Sequence, residues 1–127
     1  MTKVTDWSKY EPEFAAHEFD CKHTGRNEMQ AEFMDKLHEL RKRHGKGMII
    51  TSGYRHWTHP VEAKKGHKNG EHTKGMCADI ACTTSQQRYE LLKLAFEMGF
   101  PRIGFHKSFL HLGLGGDGLP NNVAWDY

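Results

Sequence analysis

An α+β fold is predicted by the alternation of short apolar runs with longer segments of helical periodicity. Two segments repeat apolar residues at helical spacing, and four short runs have the length of strands. Three residues separate the last two runs, which predicts a hairpin. We therefore expect a small, mostly antiparallel sheet packed by two main helices. A chain of 127 residues is expected to form a single domain over residues 1–127.

The first helix is predicted to follow an irregular segment, residues 1–20, and a candidate strand at 18–21. Asn27 and Gln30 resemble a capping box at its start, and Gly45 is expected to end it. Its apolar positions are Met29, Phe33, Leu37 and Leu40.

The remaining elements are read from the same patterns. Residues 48–51 are predicted to form a buried strand, followed by a long loop from 52 to about 74 and a second strand at 76–82. Thr84 and Gln87 cap a second helix, and Gly99 and Pro101 end it. Strands are then expected at 102–105 and 109–114, before a turn-rich, aromatic C-terminal segment.

Charge and hydropathy argue against some classes of partner. The net charge of +2 comes from 18 basic and 16 acidic residues, a balance that does not favour nucleic-acid binding. No apolar run has the length of a membrane span, and the first residues lack the pattern of a secretory signal. We therefore expect a protein that is cytoplasmic at synthesis, monomeric, and bound to neither nucleic acid nor membrane.

The three cysteines lack the spacing of a zinc knuckle. Cys77 and Cys82 lie in an apolar run and are predicted to be reduced, buried and not catalytic.

Three polar residues around the last strands suggest a metal site. In the run 109–114, His111 shares a face with Phe109 while three leucines occupy the other face. Asp79 lies inside an apolar strand, where an unpaired carboxylate would be unfavourable, and His72 precedes that strand. If the two strands are neighbours, these side chains converge. Two imidazoles and a carboxylate leave one tetrahedral position open, as in catalytic zinc sites.

Three blocks of sequence carry a family resemblance. TSGYR at 51–55, HTKGMCADI at 72–80 and FLHLGL at 109–114 occur in the order typical of zinc D-alanyl-D-alanine carboxypeptidases and L-alanyl-D-glutamate endopeptidases. The chain resembles these peptidoglycan-cleaving metallopeptidases over residues 18–127, and it is also similar to the hedgehog signalling domain. The resemblance implies a sheet that carries the metal site.

The resemblance also implies roles for single residues. His72, Asp79 and His111 match the zinc ligands, and Arg55 matches the arginine that binds and polarises the substrate carbonyl. His106 matches a catalytic histidine five positions before the last ligand. Ser108 and Gly70 depart from the pattern, since an acidic base and a serine usually occupy these positions in related branches. The general base is therefore predicted to be His106, with Glu71 as the alternative.

The predicted function is zinc-dependent hydrolysis of a peptide bond in the peptidoglycan stem peptide, as a phage endolysin or virion-associated lysin. Such a hydrolase would act at the bacterial cell wall after phage-assisted release or delivery. The alternative is a catalytically inactive, zinc-stabilised binding or phage structural module of the same fold. The other histidines are assigned to the loop or substrate cleft (His56, His59, His67) or to the surface (His17, His23, His38, His44).

Overall fold

The computed structural model describes residues 2–127 and confirms the α+β class. Over that range the α-helices are α1 (Ala31–His44), α2 (Pro60–Ala63) and α3 (Ser85–Glu97), and the strands are β1 (Ile50–Ser52), β2 (Cys77–Ala81), β3 (Arg102–Phe105), β4 (Phe109–Gly113) and β5 (Val123–Asp126). The strands form one sheet in the order β1-β2-β4-β3-β5. Neighbouring strands are antiparallel except β3 and β5, which run parallel.

The ends of the two long helices follow local capping chemistry. Gly45 ends α1 in the left-handed conformation with φ of 71°. The Thr84 hydroxyl accepts a hydrogen bond from the Gln87 N–H (3.1 Å) and begins α3 as expected. The predicted capping box at Asn27 is wrong, because α1 begins at Ala31. The Asn27 amide instead donates to the Ala16 carbonyl (3.0 Å) and ties down the N-terminal segment.

Two local predictions fail because side chains support a different backbone. Residues 18–21 were expected to be a strand, but Ala16–Phe19 form a 3-10 helix whose Glu18 carboxylate accepts from the Ala15 N–H (2.7 Å). Residues 52–74 were expected to form a loop, but they contain α2, which begins at Pro60. Pro60 occupies the first turn of α2, where proline is tolerated, and His59 accepts from the Val61 N–H.

His44 was expected at the surface, but it is buried at the end of α1. Its Nδ1 lies 2.9 Å from the Glu90 carboxylate, so the imidazole pairs α1 with α3. His38 is half-buried and contacts Glu13 at 2.8 Å.

The core lies between the helices and one face of the sheet. As the alternation in 109–114 predicts, Leu110 and Leu112 are fully buried. Side chains from α1, α3, β2 and β4 form one apolar cluster with them, including Phe33, Leu37, Leu40, Leu91, Ala95, Ala78 and Ile80. The opposite face of β2 and β4 carries the polar side chains Asp79 and His111.

The C-terminal segment forms β5, which the sequence analysis did not predict. It pairs with β3 along four residues, with Gly104 opposite Trp125. A Cβ at Gly104 would lie 2.5 Å from the Trp125 ring, so glycine here lets the indole lie flat on β3. Within the described residues, no helix combines the length and hydropathy that a membrane span requires.

Candidate metal centre

The pairing of β2 with β4 brings Asp79 and His111 together. The two residues are directly opposite in the antiparallel register, so their side chains lie on the same face. Asp79 Oδ1 lies 2.9 Å from His111 Nδ1. Both side chains are buried, at 8% and 4% exposure, on the face opposite the apolar core. The predicted neighbourhood of these two residues is therefore present.

His72 enters this group from the turn that precedes β2. Gly75 shapes the turn with φ of 70°, and a Cβ there would lie 2.0 Å from the Glu28 carbonyl oxygen. His72 Nε2 lies 3.5 Å from Asp79 Oδ2, and the rings of His72 and His111 are 5.2 Å apart. This turn brings His72 next to Asp79, which follows it by seven residues in the chain.

Hydrogen bonds on the outer edges of the rings define which nitrogens face inward. His72 Nδ1 donates to the Gly53 carbonyl oxygen (2.8 Å), which leaves the Nε2 lone pair directed at Asp79. His111 has a carboxylate at each nitrogen, with Asp79 at Nδ1 and Glu71 at Nε2 (2.6 Å). Two imidazole nitrogens and one carboxylate thus face a common point, and this donor set fits zinc.

The thiol of Cys77 is another potential metal ligand beside His72 and His111. Cys77 precedes Asp79 by two residues on β2 and therefore shares its face. The Cys77 sulphur and one nitrogen each of His72 and His111 lie within 4.8 Å of one another. Within the described residues all three cysteines are buried thiols, as predicted for Cys77 and Cys82. Burial raises the pKa of the Cys77 thiol, which favours its neutral form.

The ionisation of the group follows from burial and mutual hydrogen bonding. Burial alone would raise the pKa of Asp79, but the hydrogen bond from His111 and the proximity of the His72 ring outweigh it and hold that pKa well below its usual range. Burial lowers the pKa of His72. Burial also opposes the charged form of His111, but its two carboxylate partners prevail and raise its pKa. The site is thus built around an ionised carboxylate.

A cleft of about 480 Å³ opens over these side chains. Its walls carry Arg55, Lys65 and Arg102 together with Phe109, Leu119, Trp125 and Tyr127. Arg55 Nε lies 3.1 Å from the carboxylate of Glu62, which is almost fully buried and also pairs with Lys65 (3.0 Å). The cationic groups are therefore held by buried carboxylates at the edge of the cleft.

Glu71 lies on the edge of His111 that faces away from Asp79. Its Oε1 is 2.6 Å from His111 Nε2 and 3.1 Å from Arg102 Nε. Its Oε2 accepts a hydrogen bond from the Gly115 N–H (2.7 Å). Both carboxylate oxygens are thus engaged within the protein.

His106 lies in the turn between β3 and β4, outside the residues that line the cleft. Its Nδ1 accepts from the Ser108 N–H (3.2 Å) and lies 2.9 Å from the Ser108 hydroxyl. Its ring stacks on Phe109 at 4.8 Å and meets the edge of Tyr127 at 5.9 Å. Because Nδ1 accepts a hydrogen bond, the neutral ring carries its proton on Nε2.

Sequence reasoning missed the aromatic wall formed by β5. Trp125 packs on His111 with ring centroids 5.3 Å apart, and Tyr127 packs on Phe109 at 5.0 Å. Burial and the charge of Asp79 both raise the pKa of Tyr127, as expected for a phenol close to the site. The signal available in the sequence was the two-residue spacing of the aromatics in VAWDY. Glu62 was also missed, since a single glutamate in a polar loop carries no sequence signal.

Comparison with known proteins places the site in a family context. The sequence model of peptidase M15 matches residues 10–113, a range that contains His72, Asp79 and His111 but ends before β5. No curated protein matches the chain. Peptidases of this family are zinc enzymes, in agreement with the buried donor group described above. The match covers most of the chain, and the protein therefore belongs to the peptidase M15 family.

Proposed function

We propose that this protein is a zinc peptidase that hydrolyses a peptide bond of the peptidoglycan stem peptide, as a phage endolysin or virion-associated lysin. The observation that carries the proposal is the convergence of His72 and His111 on Asp79 at an open cleft of about 480 Å³. The family context supports the reaction class, because peptidases of this family act on peptidoglycan peptides.

The zinc ligands in this proposal are His72 Nε2, one Asp79 oxygen and His111 Nδ1. We choose Asp79 over Cys77 because its carboxylate oxygens lie 3.5 Å from His72 Nε2 and 2.9 Å from His111 Nδ1. When bound, zinc supplies Lewis-acid chemistry, which polarises a carbonyl and makes water a stronger nucleophile near neutral pH.

The side chains around the ligands supply binding and proton transfer. Arg55 hydrogen-bonds the carbonyl oxygen of the scissile peptide and stabilises the negative charge that develops there. Its ion pair with Glu62 fixes the guanidinium at the cleft wall. His106 accepts the proton that water releases on attack and passes it to the leaving amine as the C–N bond breaks. The His106 ring contacts Phe109 and Tyr127, which line the cleft, and this position beside the cleft supports the assignment.

Purified cell walls test this proposal directly. Zinc-loaded protein should clear walls in a gel assay, and mass spectrometry of the muropeptides should show one new amine and one new carboxyl terminus per cut. The position of the cut distinguishes a D,D-carboxypeptidase from an L,D-endopeptidase. Asp79→Asn protein and chelated wild-type protein should leave the muropeptides unchanged. Unaltered muropeptides after incubation with folded, zinc-loaded wild-type protein would contradict the proposal.

The second candidate is an inactive binding or phage structural module of the same fold. It is favoured by Ser108, which is exposed where related branches have an acidic base, and by Gly70, whose missing Cβ leaves room for Glu62 Oε1. In that case zinc would stabilise the fold, and the protein would co-sediment with intact walls without altering their muropeptides.

A further inference from the structure

We propose that Glu71 is a positioning residue, which accepts a hydrogen bond from His111 Nε2 and thereby directs His111 Nδ1 to the metal. The inference rests on the proposed role of His111 as a ligand. Its basis is the 2.6 Å contact between Glu71 Oε1 and His111 Nε2, on the opposite edge of the ring from Asp79. Glu71 and His111 are both buried, so solvent does not compete for this contact.

Glu71 is itself held from two further sides. Arg102 on β3 contributes an ion pair at 3.1 Å, and the Gly115 N–H, just beyond β4, donates at 2.7 Å. A carboxylate with three partners has one orientation, which is the requirement for orienting an imidazole.

Gly113 provides the space for this carboxylate. It lies two residues after His111 on β4, on the same face of the sheet. A Cβ built at Gly113 would overlap the Glu71 carboxylate, at 1.9 Å from Oε2. Glycine inside a strand is otherwise unfavourable, and here it marks the close approach of a functional group.

The chemical effect is the choice of tautomer. An acceptor at Nε2 holds the proton there, so that loss of the Nδ1 proton leaves a lone pair on Nδ1 that can coordinate a metal. The negative charge also increases the basicity of the imidazole as a ligand. Both Glu71 oxygens already contact donors of the protein, which favours this positioning role over that of the general base.

Zinc affinity, measured by chelator competition, tests the assignment independently of catalysis. Glu71→Ala is expected to weaken zinc binding by about 10–100-fold, as is typical for loss of a carboxylate behind a histidine ligand. Glu71→Gln, which keeps an acceptor without the charge, should fall between Glu71→Ala and the wild type. Glu62→Gln is the matched control, because Glu62 is also buried and paired with an arginine but does not contact a histidine ligand. Its zinc affinity should equal that of the wild type.

Nuclear magnetic resonance of the ring nitrogens of zinc-loaded protein adds a readout that a purely structural role would not change. In the wild type, His111 should show a protonated Nε2 and a metal-bound Nδ1. Glu71→Ala should broaden or shift the Nε2–H signal, while the His72 signals stay in place. Unchanged His111 signals and zinc affinity in folded Glu71→Gln and Glu71→Ala proteins would overturn the inference.

Gly113→Ala provides a second, non-additive test. The added methyl group must displace Glu71, so this variant should lose zinc affinity to the same extent as Glu71→Ala. The double variant should be no weaker than either single one, because the methyl group then enters vacated space. Additive losses would contradict the proposal. A Glu71→Gln protein with wild-type zinc affinity and no peptidase activity would instead identify Glu71 as the general base. Absence of wall hydrolysis by the wild type, with these zinc effects intact, would refute only the proposed function.

Discussion

The two faces of the β2–β4 pair are both largely buried but chemically opposite. The face towards the helices carries Ala78, Ile80, Leu110 and Leu112, all inaccessible to solvent. The other face carries Cys77, Asp79, His111 and Gly113, and is covered by the turn before β2 and by the cleft walls. The apolar face needs only shape, whereas each ionisable group on the site face needs a partner at a defined distance. Alternate residues of the same two strands thus form a packed apolar core on one face and paired ionisable groups on the other.

The largest expected effect comes from removing the carboxylate at the centre of the site face. Asp79→Ala should lose stoichiometric zinc and all peptidase activity, because both imidazoles lose the group on which they converge. Metal analysis after dialysis measures this. Cys77→Ala is the matched control on the same strand face, and it should retain zinc. Loss of zinc from Cys77→Ala, with zinc retained by Asp79→Ala, would exchange the roles of the two residues.

The second prediction concerns His106, the proposed proton carrier in the turn between β3 and β4. His106→Ala should retain zinc and lose activity by about 10²–10⁴-fold, mainly in kcat, because proton transfer matters in the transition state. Steady-state kinetics on a soluble stem-peptide substrate would show the loss. Near-normal kcat in a zinc-loaded His106→Ala protein would exclude His106 as the proton carrier.

Arg55 tests the contribution of the cleft wall. Arg55→Ala should reduce kcat by about 10²–10³-fold, the range typical for loss of an oxyanion donor. KM should also rise, since the guanidinium is expected to bind the substrate carbonyl before attack. The same kinetic assay measures both effects. Because Arg55→Ala leaves Glu62 with Lys65 alone, Arg55→Lys is the companion variant, and it should recover KM more than kcat. A change in neither constant would contradict the role.

Truncating a side chain on the apolar face should lower the stability of the protein without changing its affinity for zinc. Ile80→Ala is expected to lower the free energy of unfolding by about 2–5 kcal/mol through lost burial and a cavity. Zinc affinity of the folded fraction should remain at the wild-type level, because Ile80 faces away from the proposed ligands. Urea unfolding and chelator competition on the same preparation test both parts. A zinc affinity that falls in step with stability would mean that the two faces are not independent.

The smallest expected effect is on the stability of the protein at acid pH, through the ion pairs of Glu62 beside the site. Burial opposes the charged form of Glu62, but Lys65 and Arg55 prevail and hold its folded-state pKa below the reference value of 4.5. The corresponding stability is fully present above that reference value and is lost as pH falls through the folded-state pKa. Zinc-free protein should therefore lose stability on acidification below about pH 4.5. Glu62→Gln should flatten this dependence, and an unchanged pH profile would argue against the ion pairs.

Much of the architecture was predictable because it depends on local pattern. The helical periodicity of α1, the Thr84 cap of α3 and the alternation in 109–114 each act through near neighbours in the chain. These features led to the correct fold class and to the expectation that His72, Asp79 and His111 lie together. The capping box predicted at Asn27 failed because a contact outside the helix, with the Ala16 carbonyl, recruited the Asn27 side chain.

The sequence by itself therefore determined the fold class, the positions of four of the five strands along the chain, and the family of the protein. The tertiary structure alone decided that β5 adds Trp125 to the site, that His111 Nδ1 faces Asp79, and that Glu71 fills the space left by Gly113. The physical reason is the range of the interactions. Periodicity and caps act within a few residues, whereas Glu71 and His111 are 40 residues apart and meet only after the sheet has formed.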